Sequence, residues 1–220
     1  MLAASRNHPT STIPVNTLGR LSLFRRLLHE QLAGGVRQIY SHQLAGLAVS
    51  TAAQVRRDLM TIGFSGSPRK GYAIQELVEA INAVLARSVE TSAALVGVGN
   101  LGRAILAYFG NRQPVRFAAA FDRAPEKTGR ILHGCRCYPV EQMAEIVARE
   151  GIHVGVIAVP AGEAQAVSNQ LILAGVKGIL NFAPIRLRVP TGLYVENVDL
   201  MMALDRVAYF AHELQDQGLT

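Results

Sequence analysis

The chain has 220 residues, 50% apolar, 17% charged and 6% aromatic, a balance of ordinary globular protein that excludes a disordered tail. Its apolar runs, residues 93–98 and 154–159 among them, stop well short of the roughly 18 to 20 residues a membrane span needs. Residues 1–9 lack the apolar core of a signal peptide, so a cytoplasmic protein with no membrane partner is expected. The formal charge of +6 belongs entirely to residues 1–87, which hold ten Lys or Arg against four acids, whereas the rest of the chain is balanced. A basic module joined to a neutral one points to a polyanion, with nucleic acid the leading partner.

From Thr17, the residues Leu18, Leu21, Phe24, Leu27, Leu28 and Leu32 recur at helical spacing, and Gly34-Gly35 closes the run. A short extended piece over residues 36–40 follows. Ser41 then caps a second helix with Leu44, Ala45 and Leu47 on one side. After a four-residue turn, Thr51 and Gln54 have the spacing of a capping box opening a third helix to about Ile62, with Ala52, Val55, Leu59 and Ile62 near one face. A short helix, a tight turn and a second helix opening on small polar residues is the arrangement that lays a recognition helix in the major groove of DNA. Ser50, Thr51, Gln54, Arg56 and Arg57 are the candidate contacts, Gln suiting adenine and Arg suiting guanine or phosphate.

Residues 63–72 are rich in turn formers and read as a hairpin, or wing, with Arg69 and Lys70 at a tip that could enter a narrow minor groove. A fourth helix over residues 74–85 turns Leu77, Val78, Ile81, Val84 and Leu85 inward. The two cysteines, Cys135 and Cys137, are too few for a disulfide scaffold and are expected as reduced thiols; no metal site is expected.

The neutral module opens with a buried-strand run, residues 93–96, that leads directly into Gly97-Val98-Gly99-Asn100-Leu101-Gly102 and a helical stretch. A second strand, residues 115–121, ends at Asp122. Strand, glycine turn, helix and an acid 20 residues past Gly102 together form a dinucleotide-binding fingerprint. The turn would receive the pyrophosphate at the helix start, and Asp122 the adenosine ribose hydroxyls. A carboxylate there favours NAD(H) over NADP(H), with Arg123 next to it pulling the other way. Further alternation of helices (residues 141–149 and 163–174) with strands (153–159, 178–180 and 194–196) implies a parallel sheet. Ligand groups gather at the carboxyl ends of its strands, which adds Val159-Pro160-Ala161 and Asn181-Phe182-Ala183-Pro184 to the cofactor's surroundings. The terminal stretch, residues 199–214, is a helix whose Leu200, Met201, Leu204, Val207, Ala208, Ala211 and Leu214 need a partner surface, and a dimer would match a palindromic site.

With 133 residues nearly filled by the sheet and its helices, no substrate domain fits, and His133, His153 and His212 avoid the strand ends where a base would act. The cofactor thus reads as a signal rather than a reagent. Two other readings stay open: a small NAD-dependent oxidoreductase with an accessory basic domain, and a structural CoA- or nucleotide-binding domain of the ligase-subunit kind.

The ordered set Ile13-Pro14, Arg20-Leu21, Ala53-Gln54-Val55-Arg56-Arg57-Asp58-Leu59, Gly71-Tyr72, the Gly97–Gly102 turn, Phe121-Asp122, Val159-Pro160-Ala161, Asn181-Phe182-Ala183-Pro184 and Val198-Asp199-Leu200 resembles the Rex family of redox-sensing repressors. The resemblance spans about residues 13 to 214. It implies an α/β chain with a winged-helix DNA-binding domain (1–87), a Rossmann NAD(H)-binding domain (88–198) and a C-terminal helix (199–220) exchanged between the protomers of a homodimer. It further implies a repressor that holds a palindromic operator when NADH is scarce and releases it when NADH binds. Arg20, Tyr108 and Asp199 match the family's switch positions, with Asp199 expected to pair with Arg20 in one state and Tyr108 in the other. An apolar pocket of Ala161, Phe182 and a second protomer's Leu200 would prefer neutral NADH to cationic NAD⁺. The wing departs from the family pattern, with Ser65-Gly66 and Pro68-Arg69-Lys70 in that stretch.

Overall fold

A computed structural model describes residues 13–67, 69–85, 91–109 and 115–216, with the side chains of residues 214–216 excepted. Pro68 of the expected wing and the expected domain boundary at 87/88 lie outside the described residues. The chain divides into two compact units, residues 10–89 and residues 90 onward.

The first unit is helical. Helix α1 (Val15–Ala33) buries Leu21, Phe24 and Leu28 completely, while Leu27 and Leu32 pack at the margin. It ends where Gly35 turns left-handed at φ +83°. Strand β1 (Gln38–Ile39) leads to α2 (Ser41–Leu47), α3 (Ala52–Thr61), β2 (Tyr72–Ala73) and α4 (Ile74–Leu85). β1 and β2 pair antiparallel, Ile39 opposite Tyr72. Leu44, Val55, Leu59, Ile74, Leu77 and Ile81, all fully buried, close this core around α1.

Three local expectations change. The residue before α2 is Tyr40, not Ser41: Gln43 Oε1 accepts from the Tyr40 backbone N–H at 2.8 Å, and the Ser41 hydroxyl, already inside the helix, serves another partner. Leu47 is 43% exposed at the helix end rather than in the core. Only half of the expected capping box forms: the Thr51 hydroxyl accepts from Gln54 N at 3.1 Å, but the Gln54 side chain turns elsewhere.

The second unit alternates strand and helix: β3 (Thr91–Val96), α5 (Asn100–Phe109), β4 (Val115–Asp122), β5 (Ile131–Leu132), β6 (Cys135–Pro139), α6 (Met143–Arg149), β7 (Ile152–Ile157), α7 (Ala161–Leu173), β8 (Gly178–Asn181), β9 (Tyr194–Asn197) and α8 (Leu200–Asp216). The sheet runs β5-β6-β4-β3-β7-β8-β9, parallel throughout except for the β5–β6 hairpin. Counting from β3, the six parallel strands follow the order 3-2-1-4-5-6 of a doubly wound dinucleotide fold, whose switch point lies between β3 and β7. Alternate residues of β3 face opposite cores: Ala94 and Val96 pack with Met143, Ile146 and Leu171, and Ala93 and Leu95 with Ile105, Leu106 and Phe117.

β6 was not expected from the sequence, because its Cys135-Arg136-Cys137 pattern hides a strand among charged and turn residues. Both cysteines are free and buried in it. Burial pushes the Cys135 thiol up to about 12, which makes it a poor nucleophile. Among the described residues no helix is long and apolar enough to cross a membrane.

Candidate cofactor crevice and nucleic-acid face

The carboxyl ends of β4, β3 and β7 are level: Val96 lies opposite Phe121 on one side and Ile157 on the other. This register places Gly97, Asp122 and the turn after β7 along one edge. Gly97 adopts φ +96°, and a Cβ there would stand 2.6 Å from the Ala158 carbonyl oxygen. Gly102, on the first turn of α5, packs so tightly that a Cβ would sit 2.0 Å from the Gly97 oxygen. Gly99 is different: nothing lies within 4 Å of its missing Cβ, so the space above it is open to a ligand approaching the backbone. Helix α5 begins at Asn100, inside the glycine run itself, so the turn feeds straight into a helix N-terminus suited to a pyrophosphate.

Asp122 is 7% exposed and already held. One carboxylate oxygen accepts from Val98 N at 2.8 Å and Lys127 Nζ at 3.1 Å, the other from Ala124 N at 2.9 Å. Burial opposes its charge, but the backbone N–H groups and Lys127 outweigh that and keep its pKa below the usual carboxylate value. With three of about four acceptor positions used, it retains room for a ribose hydroxyl. Arg123 points to Glu163 on the first turn of α7, with which it forms an exposed ion pair at 2.7 Å. The residues present therefore fit a dinucleotide.

Of the other expected cofactor residues, Val159 is half-buried and Pro160 stands at the position just before α7, which opens with Ala161. Asn181 is fully buried, and its amide is committed within the protein: it donates to Ala183 O, Ile185 O and Asn197 Oδ1 and accepts from Ala183 N. It shapes the loop after β8 and ties it to β9 instead of reaching outward. Phe182 is half-buried and Ala183 buried, while Pro184 is exposed. Ala183 and Pro184 line an open cleft of about 330 Å³ together with Arg186, Asn197, Asp199 and Met202. Asp199 also accepts from Met202 N at 2.9 Å and so caps α8. Tyr108, 54% exposed on α5, stacks edge-on against Phe109.

In α8, Leu200, Met201, Leu204 and Val207 are 56–65% exposed, and so are Tyr209 and Phe210, which the sequence reading passed over.

In the helical unit, Arg57, Thr51, Arg69 and Lys70 are exposed and Ser50 half-buried. Arg56 donates to the Ser41 hydroxyl at 3.0 Å, bracing α3 against α2. Ser67 and Gly71 form an antiparallel bridge that closes the wing, whose Arg69 carbonyl accepts from the Tyr40 hydroxyl at 2.9 Å. Gln54 donates to Asp58 at 2.9 Å. Arg20 is bound to Asp58 through two N–H groups at 2.6 and 2.7 Å. Asp58 itself was not singled out as a site from sequence. The signal was available: an acid between Val55 and Leu59 on the apolar side of a helix is buried, and a buried charge must be paired.

Comparison with known proteins follows the same division. A family model described as "Putative DNA-binding protein N-terminus" matches residues 12–59, and one described as "CoA binding domain" matches residues 88–185. The redox-sensing transcriptional repressor Rex of Syntrophobacter fumaroxidans is 42% identical over 90% of this chain and 95% of its own. The chain belongs to the Rex family of redox-sensing transcriptional repressors. Rex of Rhodopirellula baltica is 40% identical over 87% of this chain and 81% of its own. RSP, a Rex-family repressor, has been solved in complex with NAD⁺ and operator DNA. That structure matches 94% of this chain and 95% of its own with a TM-score of 0.86 at 31% identity. RSP with NADH matches with a TM-score of 0.83 at 30% identity, over 96% of this chain and all of its own. The match runs through both units, which a free-standing nucleotide-binding domain would not give.

Proposed function

We propose that this protein is a cytoplasmic, homodimeric DNA-binding repressor that reads the ratio of NADH to NAD⁺ and leaves a palindromic operator when NADH binds. One observation carries the reading: a single chain joins a basic helix-turn-helix and wing to a glycine turn whose open Gly99 and pre-held Asp122 suit a dinucleotide. The Gly97–Gly102 turn would hold the pyrophosphate and Asp122 the adenosine ribose. Ala161 and Phe182 supply apolar surroundings, in which a neutral nicotinamide is favoured over a cationic one. Such a difference in affinity is what allows a ligand to shift an equilibrium between two states.

Arg57, Arg69 and Lys70 are proposed for DNA contact, with Arg56 held ready by Ser41. Arg20, Tyr108 and Asp199 are proposed to exchange partners between the two ligand states. The exposed apolar residues of α8 would be covered by a second copy of the chain.

The test is fluorescence anisotropy with a duplex selected by the protein from a random pool. NADH should weaken binding of the wild type, and equimolar NAD⁺ should do so far less. Asp122→Ala should bind the duplex as before but lose at least about tenfold of its NADH response. An Asp122→Ala protein that responds normally would sink the cofactor assignment, and turnover of NADH on a 2-hydroxy acid without selective DNA binding would favour the oxidoreductase.

A further inference from the structure

We propose that Asp58 is a positioning residue for sequence reading: its buried carboxylate fixes which way the Gln54 amide faces at the start of the recognition helix. This rests on the DNA-binding reading above and adds a residue that acts through another.

The carboxylate is 1% exposed and accepts from four donors. On α1 these are the Thr17 hydroxyl at 3.2 Å and Arg20 Nε and Nη2 at 2.6 and 2.7 Å; on α3 it is Gln54 Nε2 at 2.9 Å. Arg20 Nη2 also reaches the Thr17 hydroxyl at 3.2 Å, so the donors brace one another. The guanidinium holds the aspartate ionised, and an ionised carboxylate only accepts. The amide nitrogen of Gln54 must therefore turn toward Asp58, and the carbonyl oxygen is the end left for another partner.

Backbone geometry pins the same residue from its other side, since Gln54 N donates to the Thr51 hydroxyl. A glutamine free to rotate presents a donor or an acceptor with equal ease and loses that freedom on binding. One tethered through its nitrogen presents Oε1 with the remaining amide hydrogen beside it, the pair that recognises adenine at N6 and N7. Within one helix turn Arg56 and Arg57 thus bring charge, and Gln54 an oriented edge.

A double-mutant cycle tests this. Gln54→Ala, Asp58→Asn and the double variant are compared with wild type on the selected duplex, on each of its single base-pair variants and on a scrambled duplex. Melting temperatures are recorded for all four proteins. Gln54→Ala should lose about tenfold discrimination at one base pair of each half-site. Asp58→Asn should lose discrimination at that same base pair while keeping its affinity for the scrambled duplex, and the double variant should lose no more than either single change.

A merely structural Asp58 would lower melting and all affinities alike, leave discrimination at that base pair intact, or add its loss to that of Gln54→Ala; each result overturns the proposal. Should Asp58→Asn fail to fold, the wild type decides by nuclear magnetic resonance. The Gln54 side-chain amide protons should be shifted and slow to exchange relative to exposed glutamines, and solvent-like signals would refute the tether. A wild type that selects no duplex at all removes the DNA-binding reading itself, and this inference with it.

Discussion

Among the described residues each unit holds one buried aspartate, and the two differ in what holds the charge. Asp122 is held mainly by the main chain: Val98 N and Ala124 N exist whatever side chains stand there, and Lys127 adds one partly exposed cation. Asp58 is held by side chains alone, from Arg20, Thr17 and Gln54. The first arrangement is a rigid receptacle set by strand register and glycine. The second depends on partners that can be lost or exchanged, a property that suits a recognition surface.

The contrast can be broken by substitution. The largest effect should come from Gly102→Ala, which forces a methyl group against the Gly97 carbonyl and moves the turn itself. A loss of about 3 kcal/mol in chemical denaturation is expected, with NADH binding lost as well.

Next is Arg20→Ala, which strands the buried Asp58 carboxylate; because Arg20 is 31% exposed, a cost of about 2 kcal/mol is expected rather than the larger figures of fully buried pairs. Lys127→Ala should cost no more than about 0.5 kcal/mol, since the main chain keeps its hold on Asp122. Equal costs for the two would erase the distinction.

Acid titration sharpens it. At Asp58 burial favours the neutral form, but hydrogen bonds from Arg20, Gln54 and Thr17 prevail, so its pKa is lowered, as at Asp122. A lowered folded pKa stabilises above the unfolded carboxylate value of about 3.9, and that stability is lost as pH falls through the folded value. Stability should hold from neutrality down to about pH 5 and then decline, less steeply in Asp58→Asn and Asp122→Asn than in wild type.

The smallest effect expected is a gain. Val49, in the turn between α2 and α3, is left-handed at φ +48° and 95% exposed, a strained setting for a β-branched residue with little packing to lose. Val49→Gly should stabilise by about 0.5 kcal/mol, the relief of strain being partly offset by glycine's entropy.

The same contrast explains what could be read from sequence. The Gly97–Gly102 turn and Asp122 were legible because strand, turn and helix impose fixed spacings, and the amphipathic helices because burial imposes a period. The commitments of Arg56 and Asn181 were not, since one depends on a side chain 15 residues away and the other on a loop whose path no periodicity records, whereas the Gln54 amide meets Asp58 only four residues on in the same helix. β6 was missed because its inward cysteines alternate with Arg136 and Tyr138 over only five residues. The cap of α2 was missed because no small polar residue stands before the helix: Tyr40 does, and the side-chain contact at this end runs the other way, Gln43 Oε1 accepting from Tyr40 N.

The central claim, that one unit's dinucleotide state governs the other's hold on DNA, is met most directly by operator occupancy at fixed total dinucleotide while the NADH fraction is swept from zero to one. Occupancy should fall progressively as NADH replaces NAD⁺ and recover on reversal. An occupancy that stays level across the whole sweep, with both dinucleotides shown to be bound, would contradict the account.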